Sequence, residues 1–247
     1  MCDAASLIPG ETVLEVGPGT GALTGELLAR GVRVIALEAD TRAIEVLKET
    51  FATACSDGML TVYHADLRTY DLHELPLKTG EYAVVSNIPY YLTGMLFRTF
   101  LEHTAQPRTI VFLVQKEVAK RITTSRTRGE KESLLSLSVK IYGDPHYVRT
   151  VPRSHFTPQP NVDSGIVAID NISRDRLGGI DPNHFFTILH LGFGKKRKQL
   201  LGNLAAAYPR DTLIHVFSTL NLPPTIRAED LPLETWCALI AQLPPLS

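Results

Sequence analysis

The sequence predicts an α/β fold: a parallel sheet covered on both faces, followed by a small all-helical C-terminal domain. Three observations carry this expectation. Short, nearly continuous apolar runs alternate with helix-periodic segments through the first half of the chain. The first apolar run ends in a glycine-rich turn. From about Asp181 the chain reads as helix alone, broken at Pro209 and at Pro223 and Pro224. Strands that are apolar on both faces belong in a parallel sheet with helices on either side.

The elements follow in order. Residues 12–16 form a short apolar run that stops at glycines, a buried strand. Residues 22–30 place apolar side chains at helical spacing and stop at Gly31. Residues 32–37 give a second strand, 41–54 a helix, 60–64 a third strand and 82–86 a fourth. Residues 93–104 read as helix through Met95, Leu96, Phe97, Phe100 and Leu101, and 109–114 as a fifth strand. After residue 130 the pattern changes: 134–142 and 165–172 read as strands around the proline-rich loop 152–160. The polar, Gly-rich stretch 173–180 is a boundary. It separates an expected domain of residues 1–175 from one of residues 176–247.

Bulk properties exclude several classes. No apolar run nears the roughly 20 residues of a membrane span. The N-terminus lacks the basic flank and apolar stretch of a signal peptide. Cys2, Cys55 and Cys237 are scattered and odd in number, which argues against a disulfide framework and a structural zinc site. His64, His155 and the other six histidines show no metal-ligand spacing, so no metal is expected. The expected compartment is a reducing cytoplasm. Net charge is −1, but it is unevenly spread. Residues 1–104 hold 7 basic and 14 acidic side chains; residues 105–201 hold 16 and 8. An acidic first part joined to a basic middle suggests a polyanion met by one part of the surface.

Two sites emerge at the strand ends. Glu15-Val-Gly-Pro-Gly-Thr-Gly21 follows the first strand and opens a helix, and Gly17, Gly19 and Gly21 let backbone approach a ligand closely. Glu38 ends the second strand, where a carboxylate accepts ribose hydroxyls, and Asp66 ends the third, where one accepts an adenine amino group. Gly17-x-Gly19-x-x-Ala22 also matches a dinucleotide fingerprint, weakly. The acid at Glu15, the third glycine and Asp66 suit a cationic sulfonium cofactor, S-adenosylmethionine, better than a pyrophosphate. Helix capping is the plain structural alternative for Glu38 and for Asp66. The second site is Asn87-Ile-Pro-Tyr-Tyr91 after the fourth strand. The Asn87 oxygen and the carbonyl of Ile88 or Pro89 are acceptors for an aromatic amine, and Tyr90 is a stacking surface.

The segments "LEVGPGTG", "LEAD", "HADL" and "NIPYY" in this order resemble the ribosomal RNA adenine N6-dimethyltransferases, the small-subunit dimethylases and erythromycin-resistance methylases. The resemblance extends to "VPRSHFTPQPNVDSGIVAI", "FGKKRKQLLGNL" and "RAEDL", over roughly residues 12–240. It implies a Rossmann-like S-adenosylmethionine-dependent methyltransferase sheet and a helical RNA-binding domain. By matching position, Gly17, Gly19 and Gly21 would shape the cofactor loop, with Glu15 beside it. Glu38 would hold the cofactor ribose and Asp66 its adenine. Asn87, Pro89 and Tyr90 would hold the target adenine, and Phe156 would be a second aromatic wall. One departure stands out. Such proteins usually carry a Gln-x-Phe-Leu-type segment before the first strand; eleven residues precede Thr12 here and lack it. Weakened cofactor binding is the expectation.

Lys195, Lys196, Arg197 and Lys198 lie on an expected helix, with Lys116, Lys120, Arg121, Arg126, Arg128 and Lys131 upstream. Basic side chains on phosphates give salt-sensitive RNA affinity. The favoured partner is ribosomal RNA within a small-subunit precursor, met by a monomer. The alternatives are a large-subunit resistance methylase, a non-catalytic assembly factor on the same scaffold, and a methylase of protein or DNA.

Overall fold

The structure is a computed structural model that describes residues 1–246; the side chain of Arg126 also lies outside the description. Seven strands form one sheet in the order β3-β2-β1-β4-β5-β7-β6. They are β1 (Thr12–Val16), β2 (Arg33–Glu38), β3 (Leu60–His64), β4 (Tyr82–Asn87), β5 (Thr109–Gln115), β6 (Asp144–Val151) and β7 (Ser164–Asp170). The first five are mutually parallel. β7 runs antiparallel to β5, and β6 antiparallel to β7. Helices α1 (Ala22–Leu28), α2 (Thr41–Thr50), α3 (Ala52–Ser56), α4 (Thr93–Glu102) and α5 (Lys116–Ile122) fall between the parallel strands or just after them.

Alternate residues of a strand point to opposite faces, so both faces must be apolar when both are covered. β5 shows this. Val111 and Leu113 join a buried cluster with Leu27, Val34, Val85 and Ile166. Phe112, between them, meets Phe97 and Phe100 of α4 on the other face, with ring centroids 5.0 and 6.3 Å apart.

The chain divides into two units. One holds residues 1–120 and 144–172; the other holds 121–143 and 173–247. The second contains α6 (Leu134–Lys140), α7 (Pro182–Phe193), α8 (Leu200–Leu204), α9 (Arg210–Thr219) and α10 (Leu233–Gln242). Its core forms where α7 meets α8 and α10. A Cβ on Gly192 would collide with Trp236 and Leu200, so only glycine permits that approach. The Trp236 indole N–H donates to the Ala228 carbonyl at 3.3 Å.

Several expectations are corrected. Residues 134–142 were read as a strand, but 134–140 are helix α6. Ser133 caps it, accepting from the Ser136 N–H at 3.1 Å while Ser136 Oγ accepts from the Ser133 N–H at 2.7 Å. That pair satisfies helix-end donors, worth about 1 kcal/mol. Consequently 121–143 belongs with the helices, not with residues 1–175. Strand β6 was not anticipated. It is the edge strand, interrupted by a register shift between Tyr147 and Arg149, and it carries Pro145, which edges tolerate. The expected helix 41–54 breaks at Phe51 into α2 and α3. Helix α5 fills a stretch read only as a source of basic residues.

Candidate active site

The order of strands reverses between β1 and β4, and ligands of open α/β sheets bind outside the carboxyl ends at such a point. Residues 17–21 leave β1 there, and Asn87 ends β4 beside them. The Ser86 hydroxyl donates to the Val16 carbonyl and ties the two strand ends together.

The glycine turn is shaped by what lies beneath it. Gly21 precedes α1 at φ 88°, and a Cβ there would sit 2.5 Å from Phe51 Cε2 and 2.8 Å from Leu47 Cδ2. Left-handed backbone and absent space both demand glycine. Glu38 holds the turn directly. Its Oε2 accepts the Gly19 N–H at 3.0 Å, and its Oε1 accepts those of Ala39 at 2.8 Å and Asp40 at 3.0 Å. A carboxylate offers about four lone-pair positions, so one remains for a ligand hydroxyl. Glu15 lies deeper, 1% exposed, with its carboxylate accepting the Thr24 hydroxyl at 2.7 Å. Burial pushes its pKa up to about 7; Thr24 opposes the rise and the Glu38 charge adds to it.

Asp66 sits at the same edge but is engaged. Arg68 donates from its backbone N–H at 3.0 Å, from Nε at 3.0 Å to both carboxylate oxygens and from Nη2 at 2.5 Å. These contacts hold the Asp66 pKa down, to about 2. An adenine amino group reaches this carboxylate only where Arg68 gives way.

Asn87 is exposed at the end of β4. The Pro89 carbonyl accepts the Leu92 N–H at 3.0 Å, which makes the Ile88 carbonyl the better acceptor of the two. The Tyr90 hydroxyl shares a hydrogen bond of 2.8 Å with Ser164 Oγ, so its ring is held. Tyr91 stands 80% exposed. Phe156 is half-buried and packs against the sheet core, with its loop between β6 and β7.

Comparison with known proteins decides the family. The ribosomal RNA adenine dimethylase family model matches residues 1–243. The chain belongs to the ribosomal RNA adenine dimethylase family. It is 39% identical, over 94% of its length and 79% of the relative's, to ribosomal RNA small subunit methyltransferase A of Dehalococcoides mccartyi strain CBDB1. The Bacillus cereus strain B4264 protein of the same name is 33% identical over 96% of this chain and 83% of its own. Among solved structures, a dimethyladenosine transferase from Plasmodium falciparum superposes with TM-score 0.77 at 25% identity, covering 96% of this chain and 91% of that one. The 23S rRNA methyltransferase ErmE superposes with TM-score 0.71 at 25% identity, covering 98% and 94%. The sheet is thus of the Rossmann-like methyltransferase kind.

Membership of the adenine dimethylase family implies S-adenosylmethionine, and the residues present fit it. A glycine turn admits close backbone approach, Glu38 keeps one acceptor position, and buried Glu15 favours a nearby cation. Sequence reasoning missed Thr24, Ser164 and Arg68, the partners of Glu15, Tyr90 and Asp66. Ser164 left a signal in the quoted "VPRSHFTPQPNVDSGIVAI" segment, and Arg68 lies only two residues from Asp66.

The basic residues are divided between the two units. Lys116 and Lys120 belong to the sheet unit, and Arg121, Arg128, Lys131 and Lys195–Lys198 to the helical one. The side chain of Arg126 lies outside the described residues. Lys116 pairs with Asp163 at 3.4 Å, Arg128 with Glu130 at 2.9 Å and Lys131 with Glu229 at 2.6 Å. Lys195 to Lys198 were expected on a helix. They form an exposed turn between α7 and α8, closed by the Lys198 N–H on the Lys195 carbonyl at 2.9 Å. The Asn203 side chain donates to the Gly192 and Lys195 carbonyls and holds that turn open. With Arg121 and Arg227, three of those four cations line a cavity of about 420 Å³ in the helical unit.

Proposed function

We propose that this chain transfers two methyl groups from S-adenosylmethionine to N6 of an adenine in small-subunit ribosomal RNA during ribosome assembly. The observation that carries the reading is the acceptor corner at Asn87, at the reversal of strand order and next to the glycine turn. The small subunit is favoured because relatives named for it are 33–39% identical over 94–96% of this chain.

The residues act by acceptance and alignment. The Asn87 amide oxygen and the Ile88 carbonyl take the two N6 hydrogens. Charge growing on that nitrogen strengthens both bonds in the transition state, the kind of interaction that raises rate. Tyr90, pinned by Ser164, and Phe156 clamp the ring between them. The Glu38 carboxylate, the glycine turn and Asp66 once released by Arg68 orient the donor, with Gly17, Gly19 and Gly21 giving it room. When bound, S-adenosylmethionine supplies an electrophilic methyl carbon on a positive sulfur. Alignment of the acceptor nitrogen with that carbon carries much of the acceleration, so the reading needs no general base and no metal. Lys116, Lys120, Arg121, Arg128 and Lys195–Lys198 hold RNA phosphates. The protein works as a cytoplasmic monomer on a subunit precursor.

The test offers labelled cofactor with small subunits, large subunits and naked ribosomal RNA side by side. Label is expected in small subunits, as dimethyladenine. Asn87→Ala should lower kcat by about 100-fold or more. Full activity in that variant, or label confined to large subunits, would overturn the reading.

A further inference from the structure

A cavity of about 700 Å³ opens at the carboxyl end of β5, wholly within the sheet unit. That volume lies inside the usual range for ligand sites, about 300–1,000 Å³. Gln115, Lys116 and Lys120, from the end of β5 and from α5, line it together with Arg153, Asn161 and Asp163 of the loop between β6 and β7. The strand ladder places Gln115, which lines the cavity, near the base-binding corner. Asn87 pairs with Leu113 in the β4–β5 ladder. Gln115 is two residues further along, about 7 Å. Gln115 in turn pairs with Ser164, the residue that holds the Tyr90 hydroxyl.

The hollow is open to solvent at Glu117, Lys120, Arg153, Asn161 and Val162, and contacts among its lining residues shape it. Asp163 accepts the Arg153 N–H at 3.2 Å and faces Lys116 Nζ at 3.4 Å. Arg153 Nη1 donates to the Asn161 carbonyl at 3.3 Å, one of its five donors. Three cations are offset by Asp163 and by Glu117, which also lines the space. A bare polyanion would find more cations and fewer carboxylates attractive. An apolar ligand would strand the amides of Gln115 and Asn161. A mixed set of guanidinium, ammonium, carboxylate and carboxamide groups matches one phosphate joined to a ribose and a polar base edge.

We propose that this cavity holds the nucleotide adjacent to the target adenine in the same RNA strand. Its phosphate lies on Lys120 and Arg153, and its base edge lies against Gln115 and Asn161. The proposal rests on the reading of the Asn87 corner as the adenine site. It makes Gln115 and Asn161 specificity-determining residues, which read the base beside the modified one, while Lys120 and Arg153 position its phosphate.

The experiment pairs RNA substrates with variants of the full chain. RNAs carrying an abasic nucleotide on either side of the target adenine are compared with intact RNA. RNA binding is followed by anisotropy, and methyl transfer is measured in parallel. For the wild-type chain one abasic position should raise Kd about tenfold. Gln115→Ala should weaken intact RNA several-fold and abolish that discrimination, and Arg153→Ala should weaken intact and abasic RNA alike, with kcat at saturating RNA and cofactor affinity unchanged. Arg153→Ala should also reduce the slope of log Kd against log salt by about one. Arg153→Lys should restore the salt slope and only part of the affinity, since a point charge lacks the planar fork. Additive effects of Gln115→Ala and the abasic site, or no discrimination at either neighbour, overturn the cavity assignment while methylation stands. Discrimination in binding without methyl transfer upholds the cavity and overturns the activity.

Discussion

Replacing Glu15 by Gln tests whether this site stores an electrostatic cost. The carboxyl is buried beneath the glycine turn, and its pKa is raised from 4.5 to about 7. A raised carboxyl pKa means that the folded state binds more protons than the unfolded state between those values. Stability therefore falls as pH rises through that window and is fully lowered above it. At 1.36 kcal/mol per pH unit the full loss is about 3 kcal/mol. Roughly 2–3 kcal/mol of it falls between pH 5 and pH 8. Glutamine cannot ionise and keeps an oxygen for the Thr24 hydroxyl. Its new amide hydrogens cost about 1–3 kcal/mol if left unbonded, but that cost is the same at every pH. Urea unfolding of both proteins at pH 5 and pH 8 isolates the titration. Relative to wild type, E15Q should gain about 2–3 kcal/mol between the two conditions. A difference between the proteins that does not change with pH would refute the assignment of a neutral Glu15 at low pH.

Further outcomes follow from the same geometry. Gly21→Ala places a Cβ against Phe51 and Leu47 at φ 88°; it should destabilise by about 2–4 kcal/mol in denaturant titrations and weaken cofactor binding measured by calorimetry. Arg68→Met frees Asp66 from its ion pair, and cofactor affinity should rise, by no more than about fivefold because exposed pairs are weak; a fall would show that Arg68 itself serves the ligand. Lys140→Met leaves the buried Glu132 carboxylate, now bonded by Lys140 at 2.6 Å and by Ser136 at 2.7 Å, without its counter-charge. Thermal unfolding should report a loss of about 3 kcal/mol, partly recovered when Glu132→Gln is added.

What the chain revealed in advance was what local pattern encodes. Val13, Val34, Val84 and Val111 sit in apolar runs that only a doubly covered sheet accommodates, and the acids and glycines at the strand ends marked the crevice. Residues 134–142 misled because Leu-Ser-Leu-Ser alternates like a strand, whereas the Ser133 cap and the spacing of Leu134, Leu137 and Ile141 favour a helix. Edge strand β6 was illegible because its exposed positions and Pro145 dilute any period. In the site, one-residue chemistry was readable, as with Asn87 or Glu38. Pairings between distant residues were not: Tyr90 meets Ser164 across 74 positions, and Gly19 meets Glu38 across 19. The Asp66–Arg68 pair lay within reach of sequence reasoning, two residues apart, but nothing in spacing alone says which of its neighbours a carboxylate will choose.

The helical unit is drawn from two stretches of chain, 121–143 and 173–247, with the last two strands of the sheet lying between them in sequence. During synthesis, α6 therefore leaves the ribosome well before the helices that bury it, and Tyr142 waits for Phe186, on which it stacks at 6.2 Å. A gene fragment coding only residues 173–247 would lack that helix, and one ending at residue 172 would leave α6 without α7 and Tyr142 without Phe186. Anyone transplanting or excising the helical part must carry both stretches, or close the break with a new covalent link.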